Sequence, residues 1–572
     1  MTLKKIYIFA LSVILLGSCA KQLDELLVNP NGPTPESANV DLYLPVVQSS
    51  FVGVFSSASS FGRELTRQTV MYGPTYNAAY SPNSFDGVWS SAYTGVFKHA
   101  NILIPVAISQ KKYVQAGMAK VMKAYTMMTL VDMFGDIPYT EANLGIDNTN
   151  PGVTKGAEVY AAAIKLLQEV SDTLDLVASG SLAHGPYPGF LDNFYGVTNA
   201  AGARRWATQA KLLMIRAYMT TRLADSGAKA KIEALLSNAF VVASLTGTTQ
   251  DFEFKYSSKQ ANPNSRHPSY NGNYNGNGTT SGSAGDYIGT HFLWTIAVEK
   301  GNFSNTVAND RSDPRTRYYL YRQTTNQSGV NESSVSCSVA APPANFTPTM
   351  PFCLIGFAGF WGRDHGDNSG IPPDGNFRTT WGIYPAGGEM DLNQGTRVSL
   401  NRGGQGAGIQ PIWQASFSEF LRAEAVLTLG IAGDARAFLE AGVRKSISKV
   451  IGFPATIAYV VNPAVVPSSA TIDAYVAKVL ARYDAESTNS ARLNVVMKEW
   501  YIALWGNGAD ANNNYRRTGM PNNFQFAKLP DPGSYIRSFL YPSSYINLNK
   551  NAGAQNTPDK KVFWDTNPAV LK

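Results

Sequence analysis

A helical hairpin at residues 416–450 is the sequence feature that most restricts the fold of this chain. Apolar residues recur at intervals of three and four on both sides of a break at Gly430 and Gly433, and Asp434 stands where it can cap the second helix. One such pair cannot bury its apolar stripe alone, so hairpins of this kind stack. The pattern therefore predicts a scaffold of tetratricopeptide-like helical hairpins.

Helical periodicity also covers the first 240 residues and returns after residue 410. From Thr154, a favourable N-cap, one predicted stripe comprises Val159, Ala163, Leu166, Leu167, Val170, Leu174 and Val177. Between about 241 and 410 this periodicity gives way to Gly, Asn, Pro and aromatic residues, and the low-complexity stretch 271–285 is expected to be a mobile surface loop. We therefore expect a mostly all-α chain, with a helical scaffold at about 37–240 and 411–520, a loop-rich ligand-binding region at about 241–410 and an extended segment at 521–572.

The N-terminus has the features of a bacterial lipoprotein signal. Lys4 and Lys5 precede a short apolar run, and Cys19 directly follows the small residues Gly17 and Ser18. This pattern predicts a signal peptide at 1–18, a lipid on Cys19 and a tether at 19–36. The alternative is an ordinary signal peptide in which the cysteine occurs by chance.

The remaining two cysteines, Cys337 and Cys353, flank a Pro-rich loop. In an oxidising compartment we expect them to form a disulfide, with two buried free thiols as the alternative.

The distribution of charge and the short motifs of the sequence limit the classes of function that we expect for this protein. The net charge of +7 is spread over 572 residues without a Lys/Arg cluster, which argues against nucleic acid as a partner. The sequence lacks the short motifs of zinc proteases, serine hydrolases and nucleotide-binding enzymes. A binding protein is therefore favoured over an enzyme. A surface-anchored carbohydrate hydrolase stays open, since its two carboxylates would come from distant positions.

Candidate ligand-binding residues lie in the loop-rich segment 356–391. Receptors for neutral sugars combine aromatic platforms with planar hydrogen-bonding groups, and here Trp361 and Trp381 would be the platforms. The neighbouring candidates are Arg363, Asp364, His365, Asp367, Asn368, Arg378 and Tyr384. Equally, the two tryptophans could instead attach the loop region to the scaffold. The acids of this loop, with Asp374, could hold calcium, but their spacing matches no EF-hand and we predict no metal or cofactor.

A second candidate segment contains Tyr72, Tyr76 and Tyr80. Their spacing would suit one helix face, but Gly73 and Pro74 favour an exposed loop. Tyr274, in the low-complexity stretch, could close over a ligand, or that loop could be unused.

Several motifs, in order along the chain, resemble those of the SusD/RagB nutrient-binding lipoproteins of Bacteroidetes, and within them the SusD-like 2 branch. The matching segments are Gly87-Val88-Trp89, residues 134–142 (FGDIPYTEA), Asp313-Pro314-Arg315, Arg422-Ala423-Glu424-Ala425 and residues 515–519 (YRRTG). The resemblance implies a tetratricopeptide-like scaffold that sits as a lid on a SusC-type TonB-dependent transporter at the outer membrane. It also implies binding of oligosaccharides, or in some members peptides, without catalysis.

Overall fold

The computed structural model describes residues 39–185, 187, 192–196, 199–245, 251–276, 285–325, 337, 340–354, 357–368 and 377–572. The predicted signal peptide, Cys19 and the tether lie outside these residues. Within them, none of the helices combines the length and the apolar character needed to cross a bilayer.

Helices dominate the described chain. They are α1 (Val40–Leu65), α2 (Tyr76–Ala79), α3 (Asp86–Ser90), a π-helical turn (Ser91–Phe97), α4 (Lys98–Ser109), α5 (Tyr113–Phe134), α6 (Gly156–Ala178), α7 (Ala200–Thr221), α8 (Ala228–Leu236), α9 (Ala239–Ser244), α10 (Pro268–Asn273), α11 (Thr290–Ala297), α12 (Thr316–Tyr319), α13 (Ala415–Leu429), α14 (Ala435–Thr456), α15 (Ser469–Asp484), α16 (Asn489–Ala503), α17 (Gly508–Thr518) and α18 (Ser543–Leu548). Short 3-10 helices cover Pro82–Phe85, Gly145–Asp147, Val307–Asn309, Phe357–Gly359 and Pro463–Val465. The predicted mostly α-helical class is confirmed.

Strands are short and form antiparallel pairs. They are β1 (Ile137–Pro138) with β2 (Val153–Thr154), β3 (Phe252–Lys255) with β6 (Ile409–Trp413), and β4 (Leu320–Tyr321) with β5 (Thr380–Trp381). The pairing of β3 with β6 joins the two ends of the loop-rich stretch.

The predicted hairpin at 416–450 is confirmed as α13 and α14. Gly430 ends α13 in the left-handed conformation, at φ 61°, which favours glycine. Asp434 accepts hydrogen bonds from the backbone amides of Arg436 and Ala437 and so caps α14. At the crossing, a Cβ on Gly442 would lie 2.9 Å from the Phe420 ring, so the two helices can pack closely only with glycine there.

The stripe predicted on α6 is buried, apart from the half-buried Leu166, but the predicted N-cap is wrong. Thr154 lies in β2, where it pairs with Ile137, and Lys155 is the N-cap residue of α6. The helix thus starts one residue later than predicted, because Thr154 is held in the strand pair.

Neighbouring helices pack in two series, α1 with α4 to α7 and α13 with α14 to α16. The short helix α17 joins them by crossing α1, where a Cβ on Gly62 would lie only 2.0 Å from the carbonyl oxygen of Gly508. The backbones of α1 and α17 are therefore in direct contact.

A buried ion-pair cluster fixes α17 against α13 and α7. Arg517 donates from Nε and Nη2 to the two carboxylate oxygens of Glu424, at 2.9 and 2.6 Å, and Arg222 lies 3.2 Å from the same carboxylate. Burial acts to raise the pKa of Glu424, but the two arginines hold it below its ordinary value. The carboxylate is therefore charged and paired inside the core.

In the loop-rich region, single long-range contacts take the place of helix packing. Arg322 binds Asp391 through two hydrogen bonds, at 2.6 and 2.8 Å, with both side chains buried. Cys337 and Cys353 form a disulfide, as predicted.

Candidate ligand-binding site

The two predicted candidate segments meet in space. The Tyr76 hydroxyl lies 3.2 Å from His365 Nε2, and Asp367 pairs with Lys528 at 2.9 Å. A Cβ added to Gly366 would lie 3.3 Å from the carbonyl oxygen of Gly73, so the two segments are in close contact at this point.

A strap at residues 286–289 explains this meeting. Its backbone bonds to residues 68–70 on one side, where Val70 N donates to the Tyr287 carbonyl at 2.9 Å. On the other side Arg363 N donates to the Ile288 carbonyl at 3.1 Å. The strap thus places Tyr72 and Arg363 around Tyr287.

The two predicted aromatic platforms are not exposed. Trp361 is 1% exposed and packs beside the disulfide, while Trp381 is 0% exposed and stacks on Trp505 at 4.1 Å between ring centroids. The expected exposure of both rings is wrong, and the alternative, attachment of the loop region to the scaffold, describes Trp381. A ring of this size gains more from burial against Trp505 than from facing water.

Three of the predicted tyrosines are buried as well. Tyr274 donates to the Trp381 carbonyl at 2.6 Å and accepts from Glu389 N at 2.8 Å. The Tyr76 hydroxyl accepts from Arg67 at 3.0 Å, and that of Tyr384 accepts from Gln414 at 2.8 Å. Loop exposure is therefore wrong for Tyr76, and closure of a mobile loop over ligand is wrong for Tyr274, because each hydroxyl has a fixed partner inside the fold.

Tyr80 is half-buried and belongs to a different contact. Its hydroxyl donates to Glu64 Oε2 at 2.5 Å, and its ring packs on Phe61 and Phe539. Burial raises the pKa of Glu64 to about 7, although the bond from Tyr80 opposes that rise.

The predicted charged candidates are also largely buried. Asp364 accepts from Gln525 Nε2 at 2.7 Å, and Arg378 donates to Asn273 Oδ1 at 2.7 Å. Burial raises the pKa of Asp364 and lowers that of His365 well below its ordinary range. Among the described residues no group of three or more His, Cys, Asp or Glu is arranged to hold a metal, and Asp374 lies outside them.

The surface that remains accessible is centred on Tyr72, which is 45% exposed. We define the Tyr72 surface as the accessible side chains of Tyr72 and Asp286 together with the buried side chains that support them, Tyr287, Arg363 and Arg378. The Tyr72 ring meets the buried Tyr287 ring edge to face, with centroids 6.3 Å apart, and the Arg363 guanidinium lies 4.6 Å from the Tyr287 centroid. Asn368, another predicted candidate, is exposed.

Electrostatics keep this surface capable of hydrogen bonding. Asp286 is one-third exposed and lies 3.6 Å from the buried Arg63. Burial and the adjacent Tyr287 raise the pKa of Tyr72, so its phenol stays protonated and can donate. The accessible part of this surface therefore offers the aromatic ring and phenol of Tyr72 and the carboxylate of Asp286.

Sequence reasoning missed Asp286 and Tyr287. They directly follow the low-complexity stretch, and neither periodicity nor a motif distinguishes them. Only the pairing of their strap with residues 68–70 and 363 reveals their role.

Two family models match the sequence. Residues 32–327 match the SusD-like_2 model, described as "Starch-binding associating with outer membrane". Residues 407–561 match the SusD-like model, described as "Susd and RagB outer membrane lipoprotein". Among curated proteins, none matches the sequence.

Solved structures of similar fold extend over nearly the whole chain. A SusD/RagB family protein from Bacteroides thetaiotaomicron has a TM-score of 0.60 at 19% identity and covers 93% of this chain and 99% of its own. A chitin-binding SusD homolog from Flavobacterium johnsoniae has a TM-score of 0.57 at 17% identity, with 91% and 99% covered. A SusD homolog from Bacteroides uniformis has a TM-score of 0.61 at 15% identity, with 92% and 99% covered. At these identities the likeness establishes the fold.

Proposed function

Since the chain belongs to the SusD and RagB family of outer-membrane lipoproteins, we propose that it binds oligosaccharides at the Tyr72 surface and delivers them to a transporter. The observation that carries the proposal is the exposed Tyr72 ring, held edge to face on the buried Tyr287. A ring fixed in this way gives a sugar a preformed apolar face at little cost in side-chain entropy.

The surroundings of Tyr72 suit the hydroxyls of a sugar. Asp286 lies close enough to Tyr72 to raise its pKa and supplies acceptor oxygens. The exposed Asn368 follows Gly366, which approaches Gly73, and its amide would add donors and acceptors. The printed descriptions of the matching family and of the chitin-binding homolog support a glycan as the ligand class.

Membrane attachment and delivery complete the proposal. A lipid on Cys19 would hold the protein at the outer membrane, on the cell surface, and the partner would be a SusC-type TonB-dependent transporter. The lipoprotein signal predicted from the N-terminal sequence and the description of the matching family as outer-membrane lipoproteins support this arrangement.

Binding without catalysis is part of the proposal. Of the five residues of the Tyr72 surface, only Asp286 carries a carboxylate, and it lies beside Arg63. Glycoside hydrolysis requires two carboxyl groups flanking the scissile bond. Peptide capture by Arg363 and Arg378, the alternative ligand class, is disfavoured because both side chains are buried.

Isothermal titration calorimetry with starch and chitin oligosaccharides, and with a peptide panel, tests the proposal. For the preferred oligosaccharide, Tyr72→Ala should weaken binding about fivefold, since an aromatic contact contributes roughly 1 kcal/mol. Phe240→Ala is the matched control, because Phe240 is 44% exposed on α9 and packs on Arg204. Unchanged affinity in Tyr72→Ala, preference for peptides, or cleavage of the oligosaccharide during incubation would contradict the proposal.

A further inference from the structure

A pocket lies on the helical scaffold, and the elements that form it do not contribute to the Tyr72 surface. It has a volume of about 330 Å³ and lies between the start of α4, the middle of α5 and the loop that follows β1. Its lining includes Phe97, Asn101, Lys123, Tyr139, Thr140 and Asn143.

The loop side of the pocket is held in a fixed position. Tyr93 donates from its hydroxyl to the Pro138 carbonyl at 2.6 Å, and Asn143 Nδ2 donates to the Tyr93 carbonyl at 3.0 Å. The pocket is therefore formed before any ligand arrives.

Lys123 is the one charged residue of this lining. Its ammonium donates to Asn101 Oδ1 at 2.7 Å and lies 5.7 Å from the centroid of the Tyr139 ring. Within the part of the chain that the structure describes, no carboxylate oxygen lies within 4.0 Å of Lys123 Nζ. Burial, and then the neighbouring Lys120, lower the pKa of Lys123, as expected for a cation that lacks a counter-charge.

The nearby acidic residues are engaged elsewhere. Glu169 pairs with Lys120 at 2.7 Å. Glu141 accepts from Gly152 N at 2.8 Å and from Asn148 Nδ2 at 3.2 Å. Neither of these two carboxylates is paired with Lys123, so its ammonium faces the pocket beside Asn101 and Tyr139.

Exposed aliphatic side chains stand beside the pocket. Leu144, which lines it, is 49% exposed, and Ile146, two residues further on, is 96% exposed. Val153 is 40% exposed and pairs with Pro138, the residue before Tyr139. Water-exposed aliphatic groups in one place are typical of a protein-binding surface.

We propose that this pocket binds a glutamate or aspartate side chain of a partner polypeptide, with apolar residues next to that acid covering Leu144, Ile146 and Val153. The carboxylate would form a charge-assisted hydrogen bond with Lys123 and supply the counter-charge that the described residues do not. A polypeptide fits better than an acidic sugar, because sugar sites present exposed aromatic faces, whereas Phe97 is buried here and the exposed side chains at the rim are aliphatic.

A pair of blocked nonapeptides with a central Glu or Gln between leucines tests the proposal by fluorescence anisotropy. We expect the Glu peptide to bind at least about fivefold more tightly than the Gln peptide, a difference of roughly 1 kcal/mol. Lys123→Met should abolish that preference, and Lys165→Met, which removes an exposed lysine on α6, should leave it intact. Ile146→Ser, at a nearly fully exposed site where folding is not at risk, should weaken both peptides alike.

Three results would overturn the inference. These are equal binding of the two peptides, no binding of either at millimolar concentration, and a Glu preference that survives in Lys123→Met. Glucuronic acid serves as the sugar arm, and binding as tight as that of the Glu peptide would overturn the choice of a polypeptide. None of these results depends on Tyr72, so this site and the glycan site can fail separately.

Discussion

The helical scaffold and the loop-rich region bury their polar groups in different ways. In the scaffold, the backbone amides and carbonyls of each helix hydrogen-bond to one another. Buried charged side chains such as Arg517 and Glu424 form ion pairs between helices. In the loop-rich region, side chains satisfy the backbone, as where the Tyr274 hydroxyl binds both Trp381 and Glu389. Both regions contain buried ion pairs, such as Arg322 with Asp391 in the loop region. The difference teaches that the loop region, unlike the scaffold, also needs side chains to satisfy its backbone.

The largest expected effect is on the scaffold side of this comparison. Glu424→Gln removes the charge that Arg517 and Arg222 share and should lower the free energy of unfolding by about 3–5 kcal/mol, since two buried guanidinium groups lose their partner. Urea unfolding followed by circular dichroism measures the loss. The control is Arg436→Gln, which breaks the exposed pair with Asp484 and should leave stability unchanged. Equal losses of stability in both variants would contradict the claim that the buried ion pair stabilises the scaffold more than the exposed pair does.

A smaller effect is expected in the loop-rich region. Tyr274→Phe deletes one hydroxyl that both donates and accepts, and should cost about 1–3 kcal/mol because a buried carbonyl and a buried amide lose that partner. Tyr318→Phe is the matched control, because the Tyr318 hydroxyl is buried and has no hydrogen-bond partner among the described residues. The same urea titration should show no loss for Tyr318→Phe, and a larger loss there than in Tyr274→Phe would contradict this account.

The smallest expected effect concerns pH. Burial, with Arg63 nearby, lowers the pKa of His267 to about 3, so the folded protein keeps this imidazole neutral while the unfolded chain protonates it near its ordinary value. The unfolded state therefore binds more protons below pH ~6.5, and stability should fall by about 1 kcal/mol from this residue between pH ~7 and ~5.5. His267→Asn preserves a side-chain cap for Ser269 N and should show a correspondingly shallower pH dependence in thermal unfolding. Parallel pH profiles of the parent and the variant would refute this assignment.

The scaffold could be predicted from the sequence because its signal repeats. The apolar residues on α6 recur with helical spacing, so every turn adds evidence for the same buried face. At the hairpin, the break at Gly430 and the cap at Asp434 mark where one helix ends and the next begins. The family prediction rested on motifs spread along the chain, and the two family models confirm it.

The candidate site could be predicted only in outline. The sequence identified the two segments that meet at Tyr72 and Arg363, and ligand binding by Tyr72 and Asn368 stays a prediction. The burial of Trp381 could not be foreseen, because the residues around its ring, Trp505, Arg63 and His267, all lie far away in the chain. In an aperiodic segment, composition alone does not distinguish a buried ring from an exposed one.

The direct backbone contact of Gly62 with Gly508 has a consequence for biogenesis. In a polypeptide that emerges N-terminus first, the side of α1 that packs on α17 stays uncovered until residues 508–518 have followed. The contact between Gly62 and Gly508 closes a loop of the chain between them. Either the residues in between fold first, or the contact itself must offset the whole entropy cost of closing that loop. During synthesis and secretion, α4 and α5 can pack on α1 early, whereas the side that contacts α17 waits for its partner. We expect chaperones that bind unfolded chains to protect that side.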